Sequence, residues 1–289
     1  MPRHQSLRTR LQARSADLSP STLRVANYFT THREDVLIAS AAELAAKLDT
    51  SDATIVRTAR ALGYPGLDEL RRDLAAELRQ DLSPAVRVER TLEEVGGNLA
   101  KAFDATLDLH LESITALRGN VSPAQFRATV DRILRAKRIA IFGIGPTSAL
   151  ADYFAIQIAR FGLDAFALTD TGLLLADQLL RLRKGDLLLV MAYGRVYPEL
   201  KALFDRADEA KLGRILVTDT LGVQLGKRCD LVLQVSRGRA DRFSLHTATF
   251  AFLETLLVAT ATQRPDETVD SLNELNRLRA AVTGKALAL

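Results

Sequence analysis

Five short apolar runs between residues 138 and 235 constrain the fold of this 289-residue chain more than any other feature. They read RIAIF, DAFALT, DLLLVMA, RILVT and DLVLQV, and they follow one another at intervals of roughly 20–30 residues. Apolar strands that alternate with helix-length segments are typical of βαβ units, in which helices cover both faces of a parallel sheet. The sequence therefore predicts an α/β domain here, which helices over 244–263 and 268–282 complete.

The first 80 residues carry a different pattern, with short helices and little strand signal. Ser40 opens a capping box for one short helix, which stops at residues 48–50. Ser51 then caps a further helix, which Gly63 ends. Two short helices joined by such a tight turn predict a helix-turn-helix, whose second helix enters the major groove of DNA.

The second of these helices, residues 52–62, has two distinct faces. Ile55, Ala59 and Leu62 form the apolar stripe, and the opposite face combines small residues with arginine. Arginine pairs bidentately with guanine, so this face is a candidate for DNA contact. The candidate DNA-binding residues are Thr50, Ser51, Thr54, Arg57 and Arg60. Phosphate contacts are expected from Arg71, Arg72 and a basic tail that contains Arg3, Arg8, Arg10 and Arg14. The alternative is that these arginines only solvate a helical bundle.

A long helical pattern over residues 85–118 links the two halves, with a kink expected at Gly96-Gly97. It is interpreted either as simple packing on the sheet domain or as a coupling element that forms part of a dimer surface. The predicted domains are a DNA-binding domain over 1–80, a helical linker over 81–121 and a ligand-binding domain over 122–289.

Composition narrows the function classes. The single cysteine, Cys229, excludes an intramolecular disulfide and a cysteine-based metal cluster, and four scattered histidines offer no metal site. No apolar run reaches the ~18–20 residues that span a bilayer, and the basic N-terminus lacks the apolar core of a secretory signal. We therefore expect a cytoplasmic protein with no metal, no cofactor and no membrane partner. The net charge of +4 does not itself point to DNA, because its excess is shared evenly between the two halves.

The loop after the first strand, Gly143-Ile-Gly145-Pro-Thr147-Ser148, opens a helix and is a candidate anion site. A dinucleotide fingerprint would have Gly or Ala in place of Ser148, with Asp170 as the acid after the second strand. A phosphosugar site would instead use the hydroxyl of Thr147. The glycine spacing by itself leaves both readings open.

The stretch SAAELAAKLDTSDATIVRTARALGYPGLDELRRDLA resembles the DNA-binding domain of RpiR-type bacterial transcriptional regulators. Asp49 departs from that pattern, because regulators of this type more often have glycine at this position of the turn. An aspartate there implies slight strain in the turn. Regulators of this type carry a sugar isomerase (SIS) domain after the helix-turn-helix, and the order of strands, loops and helices over 122–265 is similar here. The resemblance implies an SIS domain with about five parallel strands between helices, and it favours the phosphosugar reading of the first loop.

The loop after the third strand departs from the SIS pattern Ser-x-Ser-Gly-x-Thr-x-Glu. Both serines and the threonine are replaced, by Ala192, Gly194 and Tyr197, and only Glu199 matches. Arg195 is the expected substitute, because guanidinium binds oxyanions bidentately. The effector-binding residues implied are Gly143, Gly145, Thr147, Ser148, Gly194, Arg195, Tyr197 and Glu199.

The sequence thus predicts a DNA-binding regulator, not an enzyme, whose SIS domain senses a phosphosugar or another anionic sugar metabolite. A homo-oligomer, dimer or tetramer, would read a pseudo-palindromic operator. Two alternatives remain: an SIS sugar-phosphate isomerase, with Glu199 and Asp219 as candidate acids, and a dinucleotide-binding redox sensor.

Overall fold

The computed structural model describes residues 6–81 and 83–284, and Arg3 of the predicted basic tail lies outside these ranges. The chain divides into two compact units. The first comprises Met1–Ala102 together with Arg239–Ser244, and the second comprises Phe103–Gly238 and Leu245–Leu289. No helix among the described residues is long and apolar enough to cross a membrane.

The first unit is a helical bundle. Its helices are α1 (Leu7–Arg14), α2 (Pro20–Thr31), α3 (Arg33–Ile38), α4 (Ala41–Lys47), α5 (Asp52–Ala61), α6 (Leu67–Asp81) and α7 (Pro84–Val95). Large side chains from five of them are fully buried in one core, among them Phe29, Leu44, Ile55, Leu70 and Leu74. Each such side chain contributes about 1.5–3 kcal/mol relative to exposure, so apolar burial holds the short helices together.

The predicted starts of these helices are confirmed. Ser40 and Glu43 form a reciprocal capping box at α4, and the Ser51 side chain accepts a hydrogen bond from the backbone of α5. Asp49 adopts the left-handed conformation, with φ of +47°. Asp is one of the few side chains that tolerate this region, so the turn between α4 and α5 forms without glycine.

Part of the expected basic tail is a helix, α1. Its residues Leu7 and Leu11 are buried in the core of the first unit. The guanidinium of Arg10 lies 4.5 Å from the centre of the Tyr64 ring, and Arg14 Nη1 donates to the carbonyl of Ala61 at 3.0 Å. Arg10 and Arg14 therefore belong to the helical bundle, and the expectation of a basic tail is wrong for these two residues.

The predicted single helix over 85–118 is also wrong. The structure has two helices, α7 and α8 (Leu99–Asn120). Gly96 and Gly97 both adopt positive φ, of +62° and +72°. Two consecutive left-handed residues end a right-handed helix instead of bending it.

The second unit contains a five-stranded parallel sheet, as predicted. Its elements after α8 are α9 (Pro123–Arg135), β1 (Arg138–Phe142), α10 (Pro146–Arg160), β2 (Ala165–Leu168), α11 (Leu173–Leu179), β3 (Asp186–Met191), α12 (Pro198–Glu209), β4 (Gly213–Thr218), α13 (Gly222–Leu225), β5 (Leu231–Gln234), α14 (Thr247–Gln263) and α15 (Pro265–Thr283). The strand order is β2-β1-β3-β4-β5.

Two hydrophobic cores lie on opposite faces of this sheet. Alternate residues of β1 enter different cores, Ile139 and Ile141 on one face and Ala140 and Phe142 on the other. All six residues of the central strand β3 are buried. Because β2 and β3 flank β1 on opposite sides, the connections that follow β1 and β3 diverge at the carboxyl edge. Such a reversal of strand order opens a crevice where open α/β sheets bind ligands.

Candidate functional site

Helix α5 of the first unit is held in place by the Ser51 cap at its start and by the burial of its inner face, and these two features fix the orientation of its outer face. Ile55, Thr58 and Ala59 are buried, whereas Arg57 and Arg60 are exposed. Arg60 Nε donates to the carbonyl of Pro65 at 3.3 Å, which orients this side chain. The predicted exposure of both arginines on one helical face is confirmed; their contact with DNA remains a prediction.

Thr54 was expected on this outer face, and that expectation is wrong. Its residue exposure is only 9%. The hydroxyl shares a hydrogen bond of 3.0 Å with the Ser51 hydroxyl, and Arg57 Nη2 donates to it at 3.0 Å. Thr54 therefore lies on the buried side of the first turn, where it bonds the cap residue Ser51 and orients Arg57. Ser51 is exposed at the cap, and Thr50 is half-buried in the preceding turn.

Arg71 does not present its guanidinium for phosphate contact. Its Nε donates to the carbonyl of Val36 at 2.8 Å, and its Nη2 donates to the carbonyl of Ala39. Burial lowers the pKa of this guanidinium below its usual value. Arg71 thus satisfies carbonyls at the C-terminal end of α3, a structural role that sequence pattern did not reveal. Arg72 pairs with Glu69 on the same helix.

In the second unit, the glycine-rich loop joins β1 directly to α10. A Cβ atom on Gly143 would lie 2.4 Å from the Thr147 carbonyl oxygen, so the loop requires glycine there. Gly145 is the N-cap residue of α10. The Thr147 hydroxyl donates to the carbonyl of Ile144 at 2.9 Å, and the Ser148 hydroxyl donates to that of Gly145 at 2.7 Å. Both hydroxyl protons therefore stabilise the turn, which leaves backbone N–H groups as the donors for an anion.

The loop after β3 lies beside this one, because β1 and β3 are paired up to Phe142 and Val190. Gly194 is partly buried, and Arg195 and Tyr197 are exposed. Tyr197 is the N-cap residue of α12 but makes no side-chain cap, and Glu199 stands half-buried in the first turn. The predicted residues of the two loops are thus brought to one edge of the sheet.

A polar cluster that sequence analysis did not assemble adjoins these loops. Asp219 follows β4, and its buried carboxylate accepts a hydrogen bond of 3.0 Å from Arg237 Nε, which comes after β5. The Arg237 guanidinium lies 4.6 Å from the centre of the Tyr193 ring. The Tyr193 hydroxyl hydrogen-bonds the Thr249 hydroxyl at 2.7 Å.

His246 lies against the same ring of Tyr193, with ring centres 5.5 Å apart. Burial, together with the nearby Arg237, lowers the pKa of His246 to about 4, so it is neutral at physiological pH. Its buried Nδ1 atom has no hydrogen-bond partner among the described residues. Most buried polar atoms in proteins have a hydrogen-bond partner, so this nitrogen can accept one from a ligand or a water molecule. Only the position of Arg237, soon after an apolar strand, could have hinted at this cluster in sequence.

Comparison with known protein families gives two matches. Residues 5–81 match the helix-turn-helix domain of the rpiR family, and residues 132–261 match the SIS domain. No cluster of three or more His, Cys, Asp or Glu residues suited to a metal occurs within residues 6–81 and 83–284.

Two relatives differ in how much of each protein is matched. The uncharacterized HTH-type transcriptional regulator YbbH of Bacillus subtilis is 22% identical over 284 residues, which cover 94% of this chain and 95% of that protein. The bifunctional protein glk of Paraburkholderia xenovorans is 26% identical over 217 residues, which cover 75% of this chain and 33% of that protein. The chain therefore spans about a third of the glk relatives that it matches.

Solved structures share the fold. The NanR protein of Vibrio vulnificus, in complex with ManNAc-6P, aligns with 98% of this chain and 100% of that one, with a TM-score of 0.58 and 22% identity. The sugar isomerase domain of an RpiR transcription factor from Sphaerobacter thermophilus aligns with 58% of this chain and 94% of that one, with a TM-score of 0.54 and 23% identity. At these identities the likeness establishes the fold.

Proposed function

We propose that this chain, which carries the rpiR-family helix-turn-helix followed by an SIS domain, is a transcriptional regulator of the RpiR type. It binds operator DNA through α5 and senses an anionic sugar metabolite in the crevice of its SIS domain. The observation that carries this proposal is the outer face of α5. Arg57 and Arg60 are exposed on a helix whose opposite side is fully buried and whose start is capped. A rigid helix that presents arginine beside small side chains fits the width of the major groove.

Selection of binding sites from random duplex DNA with the full-length protein tests the first part of the proposal. We expect enrichment of one sequence, read as two related half-sites. Recovery of no enriched sequence would contradict sequence-specific binding. The salt dependence of affinity for the enriched site would then count the phosphate contacts.

The effector part of the proposal is supported by the place of the two loops at the strand-order reversal between β1 and β3. NanR, which shares the fold, was solved with the phosphosugar ManNAc-6P. We propose that Thr147, Ser148, Arg195, Tyr197 and Glu199 border the effector, with the backbone at Gly143, Gly145 and Gly194. A thermal-shift screen of sugar phosphates and sugar acids tests this, because a ligand that binds only the folded state raises its melting temperature.

Coupling between the two activities is proposed to run through Glu94 on α7. Its carboxylate accepts hydrogen bonds of 2.6 Å from Arg242 Nε and 3.3 Å from Arg239 Nη1, and these lower the pKa of Glu94. Arg239 is the first residue of the segment Arg239–Ser244. Only Gly238 separates it in the sequence from Arg237 of the polar cluster. An effector that alters this segment would favour one arrangement of the protein by binding it more tightly. A Glu94→Gln variant that binds effector but no longer changes its DNA affinity would support this route.

We further propose that the protein is a homo-oligomer that pairs through α8. Phe103, Leu107, Leu111 and Ile114 repeat along one side of this helix, and all four are exposed, Phe103 by 66%. A continuous apolar stripe of this kind on a soluble protein marks an interaction surface, and a two-fold pair would match a pseudo-palindromic operator. Light scattering of Leu107→Glu should then report a smaller particle than that of the wild type.

We also propose that the protein acts on the chromosome in the cytoplasm and that it is not an enzyme. Asp219, one of two acids considered for catalysis, is tied to Arg237 and is buried, which supports this view. The protein should bind no dinucleotide, and saturable NAD(P)H fluorescence changes on titration would overturn the proposal. Turnover of a sugar phosphate by the purified protein would favour the isomerase alternative.

A further inference from the structure

The polar cluster after β3, β4 and β5 defines the chemistry of the proposed effector more closely than the two loops do. We infer that Arg237 is the principal anion-binding residue of the crevice, and that the anion it fits is the carboxylate of a sugar acid. This inference rests on the proposed function, since it specifies the ligand of the same crevice.

Arg237 is held in place for such a role. Its side chain is 12% exposed and that of Asp219 is 4% exposed, and the hydrogen bond of 3.0 Å between them uses only Nε. The Tyr193 ring covers one face of the guanidinium at 4.6 Å. Among the described residues the two Nη groups make no hydrogen bond. An arginine fixed by a carboxylate on one edge and an aromatic ring on one face presents a preorganised pair of donors on its remaining edge.

That edge faces the loop after β3. A Cβ atom on Gly194 would lie 3.4 Å from Arg237 Nη2, so the backbone of this loop passes within van der Waals reach of the guanidinium. Arg195, the residue that sequence analysis chose, stands exposed on the same loop. Arg237, by contrast, is largely buried and is oriented by Asp219, which suits it to bind a ligand inside the crevice.

The charge balance favours a monoanion. Asp219 offsets the positive charge of Arg237, which weakens the attraction of this arginine for a dianion. Neutral side-chain donors are also scarce, because the hydroxyl protons of Thr147 and Ser148 are donated to backbone carbonyls. The Tyr193 hydroxyl is bonded to Thr249 inside the core. Two Nη groups satisfy the two oxygens of a planar carboxylate, whereas the three oxygens of a phosphate need further donors.

His246 extends the site toward a polyhydroxyl ligand. Its neutral ring stacks edge-on against Tyr193, the same ring that covers Arg237. The unpartnered Nδ1 atom of His246 needs one hydrogen bond that the described part of the chain does not supply. A sugar hydroxyl can donate or accept, and so can complement either tautomer. A carboxylate beside several hydroxyls is the arrangement found in hexonates and hexuronates.

The test measures binding to the full-length protein by calorimetry and thermal shift. The probes are gluconate, glucuronate and galacturonate, set against glucose 6-phosphate and N-acetylmannosamine 6-phosphate. We expect at least one sugar acid to bind. Arg237→Lys, which keeps the charge but loses the planar pair of donors, should weaken that binding at least tenfold. The matched variant Arg277→Lys, at an exposed arginine of α15 that pairs with Glu274, should change it less than threefold.

Because a lone Arg237→Gln substitution strands the buried Asp219 carboxylate, the double variant Arg237→Gln/Asp219→Asn removes both charges together and guards against misfolding. Undiminished sugar-acid binding by this double variant would overturn the role of Arg237. If only sugar phosphates bind, the carboxylate inference is wrong while the proposed sensing function stands. If neither class binds, the proposed sensing function itself fails.

Discussion

Replacement of Arg57 by alanine separates DNA recognition from folding. Arg57 is exposed, and its one described hydrogen bond is to the Thr54 hydroxyl at 3.0 Å. Thr54 keeps its hydrogen bond to Ser51 after the change, so no buried polar atom loses its only partner. The free energy of unfolding should therefore change by no more than about 0.5 kcal/mol.

The cost in DNA binding should be much larger. If Arg57 pairs bidentately with a guanine, its loss removes about 1–3 kcal/mol of discrimination against other bases. That corresponds to a specific dissociation constant weakened by roughly 5–150-fold. Binding to unrelated DNA depends mainly on phosphate contacts and should weaken little.

Fluorescence anisotropy with a labelled duplex of the selected site and a scrambled duplex, at two salt concentrations, measures both quantities. Arg71→Ala is the matched control, because Arg71 bonds the carbonyls of Val36 and Ala39 inside the bundle. Arg71→Ala should lower the free energy of unfolding by about 1–3 kcal/mol, because it leaves two carbonyls without their hydrogen-bond donor. It should preserve the ratio of the dissociation constants for the two duplexes. An Arg57→Ala protein that weakens on both duplexes equally, or on neither, would refute the assignment of Arg57 to base recognition.

Three further changes test the local geometry by thermal unfolding. Gly143→Ala places a Cβ atom 2.4 Å from the Thr147 carbonyl oxygen, and the forced movement of the loop should cost about 1–3 kcal/mol and reduce any effector-induced shift in melting temperature; unchanged stability would mean that the loop is not close-packed. Asp49→Gly relieves the positive φ of +47° and should stabilise the first unit by roughly 0.5 kcal/mol, whereas a lower melting temperature would show that the aspartate itself stabilises the turn. The pKa of His246 is lowered from 6.5 to about 4, so its contribution to stability is complete above pH 6.5 and is lost as the pH falls through this range toward 4. His246→Gln should accordingly lose less stability than the wild type between pH 7 and 4.5, and parallel pH profiles would contradict burial of a neutral ring.

Local sequence patterns predicted the elements that depend on neighbours along the chain. Serine caps, the left-handed turn at Asp49 and the five apolar strands each follow from interactions within a few residues, and all are confirmed. The errors arose where packing of the whole bundle decides the environment of a side chain. Arg71 has the spacing of an exposed residue, but its guanidinium bonds carbonyls at the end of α3, 35 and 32 residues away. Thr54 bonds only its neighbours Ser51 and Arg57, and it is the packing of α5 into the core that buries it.

The candidate effector site divides in the same way. The glycine-rich loop was visible because Gly143, Gly145 and Thr147 are adjacent in the sequence. Arg237 and His246 were missed because they follow β5 and meet Tyr193 and Asp219 only when β3, β4 and β5 align side by side.

The sequence by itself determined the class of each half, because helical and strand periodicities and helix caps are short-range properties. Only the tertiary structure decided which polar groups are already satisfied and which remain for a ligand. That distinction depends on the burial of Asp219, on the orientation it imposes on Arg237 and on the hydrogen bond that His246 lacks. A hydrogen bond between residues that are far apart in the sequence leaves no local sequence pattern. Such a bond is encoded by the chain but becomes visible only in the folded structure.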